Sequence, residues 1–155
     1  MFKADIVGEA EIEAAWGRVV AEIRVGAVRG AGLGAKEGAE EARRKHVFRN
    51  RTGELEKSIS HITIGWVNGT TYVAKIVAGK KYASWVEDGT RPHLIVGNPW
   101  LVFEWKGVLV RFRYVNHPGT KPHPFMGIAY QKAERVVIRE HELAVARAAR
   151  ILDKL

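Results

Sequence analysis

Six histidines and one pair of adjacent carboxylates are the residues of this chain whose chemistry could reach beyond structure. His93, His117 and His123 stand among prolines, and His46, His61 and His141 are scattered. None has the HxxxH or HExxH spacing that places two imidazoles on one helical face. Zinc needs three or four converging ligands, so these read as polar loop histidines making local hydrogen bonds. Glu87 and Asp88 sit side by side before Gly89-Thr90. Paired carboxylates serve metal-dependent hydrolysis, but neighbours in a strand point to opposite faces and do not share a ligand site. A strand end and a turn are expected there instead. Gly30-Ala31-Gly32-Leu33-Gly34 has the glycine density of a phosphate loop, yet it lies inside a helical pattern with no strand before it. A GxSxG elbow, a P-loop and a dinucleotide fingerprint are all missing. No catalytic residue, cofactor or metal is expected.

The remaining candidate is basic. The 155 residues carry a formal charge of +8, spread unevenly: residues 1–90 hold 14 Lys/Arg against 12 Asp/Glu, and residues 91–155 hold 11 against 5. An excess of this kind favours acidic partners such as DNA, although it also keeps a protein soluble. Arg43, Arg44, Lys45, Arg49 and Arg51 flank Phe48 and form the best DNA-contact cluster; a solvated helix end stabilising its own dipole is the competing reading. With 46% hydrophobic and 27% charged residues the chain is in the globular range. It contains no cysteine, which excludes disulfides and thiolate metal sites. Met1-Phe2-Lys3-Ala4-Asp5 opens without a signal peptide's apolar run, and no stretch nears the roughly 20 apolar residues of a membrane span. A soluble protein without a membrane partner is expected.

The elements that must position these residues follow from periodicity. Residues 9–46 read as helix, with Ile12, Trp16, Val19, Val20, Ile23 and Ala27 on one apolar face. Glu9, Glu11 and Glu13 at the start and Arg43, Arg44, Lys45 and His46 at the end complement the dipole. Each glycine costs about 1 kcal/mol against alanine in a helix, so a kink or break is expected at Gly30–Gly34. Asn50-Arg51-Thr52-Gly53 signals a turn. From Ser58 the period becomes two, and Asn68-Gly69 is a hairpin dipeptide before a strand from Tyr72 to Val77. Tyr82–Glu87 reads as a third extended piece ended by Asp88-Gly89. Residues 91–100 read as a loop. Leu101–Trp105 and Val108–Val115 form a hairpin about Lys106-Gly107. Val108, Val110, Phe112 and Tyr114 face a core, while Arg111 and Arg113, between Leu109 and Val115, face solvent or a partner. Pro124 suits the first turn of a helix over about 124–153, whose thin stripe is Phe125, Ala129, Ala133, Val136, Val137, Ala144, Ala148, Ile151 and Leu155. The expectation is one α+β domain over 1–155: long helix, antiparallel β-meander over about 58–115, long helix.

Four separated motifs add to this. They are Arg51-Thr52-Gly53-Glu54-Leu55 with Ser58-Ile59; Tyr82-Ala83-Ser84-Trp85-Val86-Glu87-Asp88-Gly89-Thr90-Arg91-Pro92-His93; His117-Pro118-Gly119-Thr120-Lys121-Pro122; and Pro124-Phe125-Met126 opening the last helix. In this order, over roughly residues 40–140, the chain resembles the tail-completion or tail-to-head joining group of long-tailed bacteriophages, which includes minor tail proteins of the protein Z type. Asn98-Pro99-Trp100 departs from the lysine-rich loop of that group. The resemblance implies a non-enzymatic virion component that assembles in the host cytoplasm into a ring, commonly sixfold. Its implied place is the head–tail junction, with the connector or head-completion protein and tail-tube proteins as neighbours and DNA passing through the lumen. Leu94, Ile95, Val96 and Trp100 are too apolar for a loop that stays in water, and are expected to order against a neighbour on assembly. A basic DNA-binding protein using residues 43–51 with Arg111 and Arg113 remains the alternative. A small metal-dependent hydrolase around Glu87, His93 and His117 is a third.

Overall fold

The computed structural model describes residues 8–154; Met1–Asp5 and Leu155 of the readings above lie outside them. The element order is α1 (Glu9–Lys45), α2 (Glu54–Ser58), β1 (Ile59–Val67), β2 (Thr71–Ala78), α3 (Ala83–Asp88), β3 (His93–Trp105), β4 (Val108–His117) and α4 (Met126–Leu152). The class is the expected α+β, with a long helix at each end and antiparallel strands between.

The two long helices pack antiparallel. Arg147 Nε donates to Glu22 Oε2 at 2.8 Å near one end, and Lys132 Nζ meets Glu37 at 2.9 Å near the other. What α1 buries is small: Ala15, Gly26, Gly30, Gly34, Ala35, Gly38, Ala39 and Ala42. Glycine every fourth residue from 26 to 38 forms a groove into which α4 sinks. A Cβ at Gly26 would stand 2.3 Å from Ala144 Cβ, and one at Gly38 would stand 2.7 Å from both the Ala129 carbonyl and Ile76 Cδ1. This corrects two expectations. The helix runs unbroken through Gly30–Gly34, because close contact with α4 offsets the poor propensity of glycine. The large apolar face of α1 is not the buried one, since Ile12, Trp16 and Val20 are about half exposed. On α4 the thin stripe holds in part: Ala129, Val136, Ala144 and Ala148 are buried, whereas Val137 is exposed. The helix itself starts at Met126, so Pro124 precedes it rather than occupying its first turn.

The strands form two separate hairpins, not one meander. β1 and β2 turn at Asn68 (φ 52°) and Gly69 (φ 71°), a left-handed pair within the three-residue connection between paired Val67 and Thr71. Arg24 fastens this hairpin to α1, its guanidinium 4.1 Å above the Trp66 ring centroid. β3 and β4 turn at Lys106 (φ 51°) and Gly107 (φ 81°), likewise left-handed. Two segments differ from expectation. Tyr82–Glu87 is not extended: Ala83–Asp88 is a short helix, whose carbonyls at Val86 and Tyr82 are engaged by other backbone N–H groups. Nor is most of residues 91–100 a loop, since all but Arg91 and Pro92 belong to β3. Leu94, Ile95 and Val96 pair with Asn116, Val115 and Tyr114, and Gly97–Trp100 form an irregularity within the strand. Pro99, which lacks an N–H, is thereby kept at a bulge, where a sheet tolerates it.

Candidate assembly site

The four motifs converge at one place, the root of the β3–β4 hairpin. Leu55, Ala83 and Phe125, one from each of three motifs, are buried in a single cluster with Ala39, Ala42, Phe48, Ile59 and Ala129. Phe125 is fully buried, and its ring meets Phe48 edge-on at 5.3 Å. Phe48 was legible in the sequence only as the aromatic inside a basic run; the structure makes it a floor of this core. Around the cluster the polar motif residues close turns. Asn50 Oδ1 accepts from the N–H of Gly53 (φ 73°) at 2.8 Å, Thr52 Oγ1 lies 3.4 Å from the Glu54 N–H, and Ser58 Oγ donates to the Leu55 carbonyl at 2.7 Å.

Glu87 has the most demanding role. Its carboxylate accepts from the N–H groups of Phe125, Met126 and Gly127 at 2.8, 2.9 and 3.3 Å. Those are first-turn donors of α4 that no intrahelical carbonyl can serve, and a negative charge there also suits the helix dipole. Asp88, its neighbour, is exposed. The two carboxylates share no site, though the reason is a helix end rather than a strand.

Thr90 and Thr120 close the foot of the arm, tying its two legs together in register with the β3–β4 ladder. Each backbone N–H donates to the other's carbonyl at 3.1 Å, and their hydroxyls lie 3.1 Å apart. Gly89 (φ 72°) and Gly119 (φ 84°) flank this bridge. A Cβ at Gly89 would come within 2.4 Å of the Thr120 carbonyl oxygen, and one at Gly119 within 2.2 Å of the Thr90 carbonyl oxygen, so both positions are closed to side chains. Pro92, Pro118 and Pro124 are exposed along the same connections.

The histidines are less isolated than their spacing suggests. His93 and His117 are cross-strand partners at the foot of the arm with ring centroids 5.1 Å apart. With His123, Arg49, Tyr82, Trp85 and Lys121 they line a cavity of about 400 Å³. Their polar contacts are local: His93 Nδ1 donates to the Arg91 carbonyl at 2.8 Å, and His117 Nδ1 accepts from the Gly119 N–H at 3.1 Å. Among the described residues no group of three His, Asp or Glu side chains is placed to hold a metal ion. Glu87, His93 and His117 therefore do not form a ligand set.

Beyond its root the β3–β4 arm stands clear of the body. On one face Val96 pairs with Tyr114, Leu101 with Phe112, Phe103 with Val110 and Trp105 with Val108. That face was expected to enter a core. Instead Val96, Trp105, Val108 and Tyr114 are each 61–67% exposed, because no other described residue lies over them. Leu94 (55%) and Trp100 (46%) are likewise uncovered, although they belong to a strand rather than a loop; Ile95 is more sheltered at 36%. The opposite face carries Arg111 and Arg113, both exposed as expected, with Arg113 5.2 Å from the Trp100 ring centroid.

The basic cluster at the end of α1 is partly neutralised from within. Arg44 and Lys45 both reach Glu41, at 2.5 and 2.8 Å, and hold its carboxyl at about 2, well below the usual range. Arg43 is half-buried, and only Arg49 and Arg51 are exposed without a carboxylate partner among the described residues. Also among those residues, no helix is long and apolar enough to cross a membrane. No family model, no curated protein and no solved structure matches the chain.

Proposed function

We propose that this protein is a non-enzymatic structural component of a tailed-phage virion that forms a ring at the head–tail junction. Its neighbours there are the connector or head-completion protein and the tail-tube proteins. The observation that carries the reading is the arm. An isolated two-stranded hairpin is marginally stable at best in water, and a contiguous exposed apolar face marks a protein contact. This arm has such a face, and it is rooted in the residues that carry the family likeness. Those residues close turns, cap α4 and tie the two legs of the arm together, which are the tasks of a scaffold that holds an assembly element. The arginine face of the arm suits a channel through which DNA passes.

The DNA-binding alternative draws on Arg49, Arg51, Arg111 and Arg113, all exposed. It is weakened by the Glu41 carboxylate, which already engages two of the five cations of the cluster. Electron microscopy of the concentrated protein, together with a salt titration of its DNA affinity, separates the two. Rings with an axial channel and weak duplex binding are expected. Monomers that bind DNA with a steep slope in log salt would sink the virion reading.

A further inference from the structure

The chain contains two half-sheets that do not meet. β2 pairs with β1 on one side only, leaving its other edge open. Residues Tyr72 to Ile76 of β2 line a groove of about 490 Å³ together with Ala31, Ala35, Tyr130, Ala133 and Val137 of the helices. The sheet rests on α1 and stops short of α4, where Tyr130 is 64% and Val137 41% exposed. The helix pair is thus wide enough for more strands than the chain lays across it in cis.

We propose that β4 of a second copy of this chain adds to the open edge of β2, so that the arm covers α4 as the third and fourth strands of one sheet. This rests on the ring reading above and supplies the contact by which neighbours join. Three features select this occupant. First, an added strand turns alternate residues to the helices, and the face bearing Val110, Phe112 and Tyr114 is wholly apolar while the other is mixed, with Arg111, Arg113 and Glu104 beside Val102 and Leu109. The first suits a floor of alanines and Val137, and the second stays in solvent, as the outer face of a helix-backed sheet requires. Second, β4 runs from Val108 to His117 without proline, whereas β3 is interrupted at Gly97–Trp100; β4 therefore offers a full row of donors and acceptors. Third, the arm leaves Val96, Trp105, Val108 and Tyr114 each 61–67% exposed on one face, a contiguous apolar surface of the kind that a protein contact covers. Arm and groove are different surfaces, so the contact is head-to-tail, the kind that closes into rings.

The experiment uses the full chain and two variants at exposed positions, Phe112→Asp on the arm and Tyr130→Asp beside the groove. Circular dichroism and thermal melting first establish that both fold as the wild type does; Val108→Asp replaces the arm variant if Phe112→Asp does not. Sedimentation then measures assembly. The wild type is expected to associate, with amide exchange slowed at Tyr72–Ile76, and each variant to lose association at least tenfold. Mixed together, the variants should form a 1:1 dimer that grows no further, because one intact arm then meets one intact groove. Wild-type rings that persist in both variants would overturn the arm-to-groove pairing and leave the ring reading standing. Failure of the mixture to pair would likewise overturn it. A wild type that is monomeric at every concentration would count against both.

Discussion

Glu87 Oε2 accepts the Phe125 N–H at 2.8 Å across 38 residues of sequence, so the end of one short helix supplies the N-terminal cap of another. Three donors depend on that one carboxylate. Glu87→Ala should lower stability by about 1–3 kcal/mol, the cost of leaving part-buried donors without an acceptor. Glu87→Gln, which keeps one acceptor oxygen but no charge, should cost less. Chemical denaturation of the two variants checks this, and equal losses would mean that a neutral oxygen does nothing at the cap and the charge carries the whole effect.

Gly89 and Lys106 both have positive φ, yet they differ in surroundings. Gly89 has the Thr120 carbonyl oxygen where a Cβ would go, and Lys106 sits at an open hairpin tip. Gly89→Val should cost at least roughly 1–3 kcal/mol from backbone strain alone, and also loosen the Thr90–Thr120 bridge. Lys106→Ala should stay within about 0.5 kcal/mol, as surface changes do. Melting curves that rank the two the other way would contradict the assignment of the bridge as the closure of the arm's foot.

Two glycines of α1 test the helix contact with opposite signs. A Cβ at Gly26 meets Ala144, whereas a Cβ at Gly32 meets nothing within 4 Å. Gly26→Ala should therefore destabilise by about 1–3 kcal/mol through overpacking. Gly32→Ala should stabilise by about 0.4–1 kcal/mol by reducing the freedom of the unfolded chain. Denaturant midpoints measure both, and destabilisation by Gly32→Ala would show that the exposed side of α1 is also packed.

Glu41 titrates at about 2 instead of 4.5, chiefly because Arg44 and then Lys45 bond to its ionised form. A depressed folded-state carboxyl contributes stability that is present above its ordinary pKa and is lost as pH falls from there through about 2. Carbon-detected NMR should follow the Glu41 carboxyl to that low value. In Arg44→Gln the titration should move back toward the ordinary range, and an unmoved curve would assign the effect to Lys45.

Short-range chemistry was legible in the sequence. The turns at Asn68-Gly69, Lys106-Gly107 and Asp88-Gly89 need positive φ within one or two residues, and glycine, asparagine or a tight loop signals that need locally. The long helices and the alternation of β4 follow likewise from periods that span only a few residues. Tertiary structure alone decided what those elements meet. Glycine in α1 reads as a helix breaker until α4 is placed against it, for propensity carries no information about a neighbour 2.3 Å from an absent Cβ. Tyr82–Glu87 has the composition of a strand, yet its last residue is required at the head of α4, 38 positions further on. The apolar face from Val108 to Tyr114 shows the same divide: alternation tells that it must be covered, and only the fold tells that the described residues leave it bare.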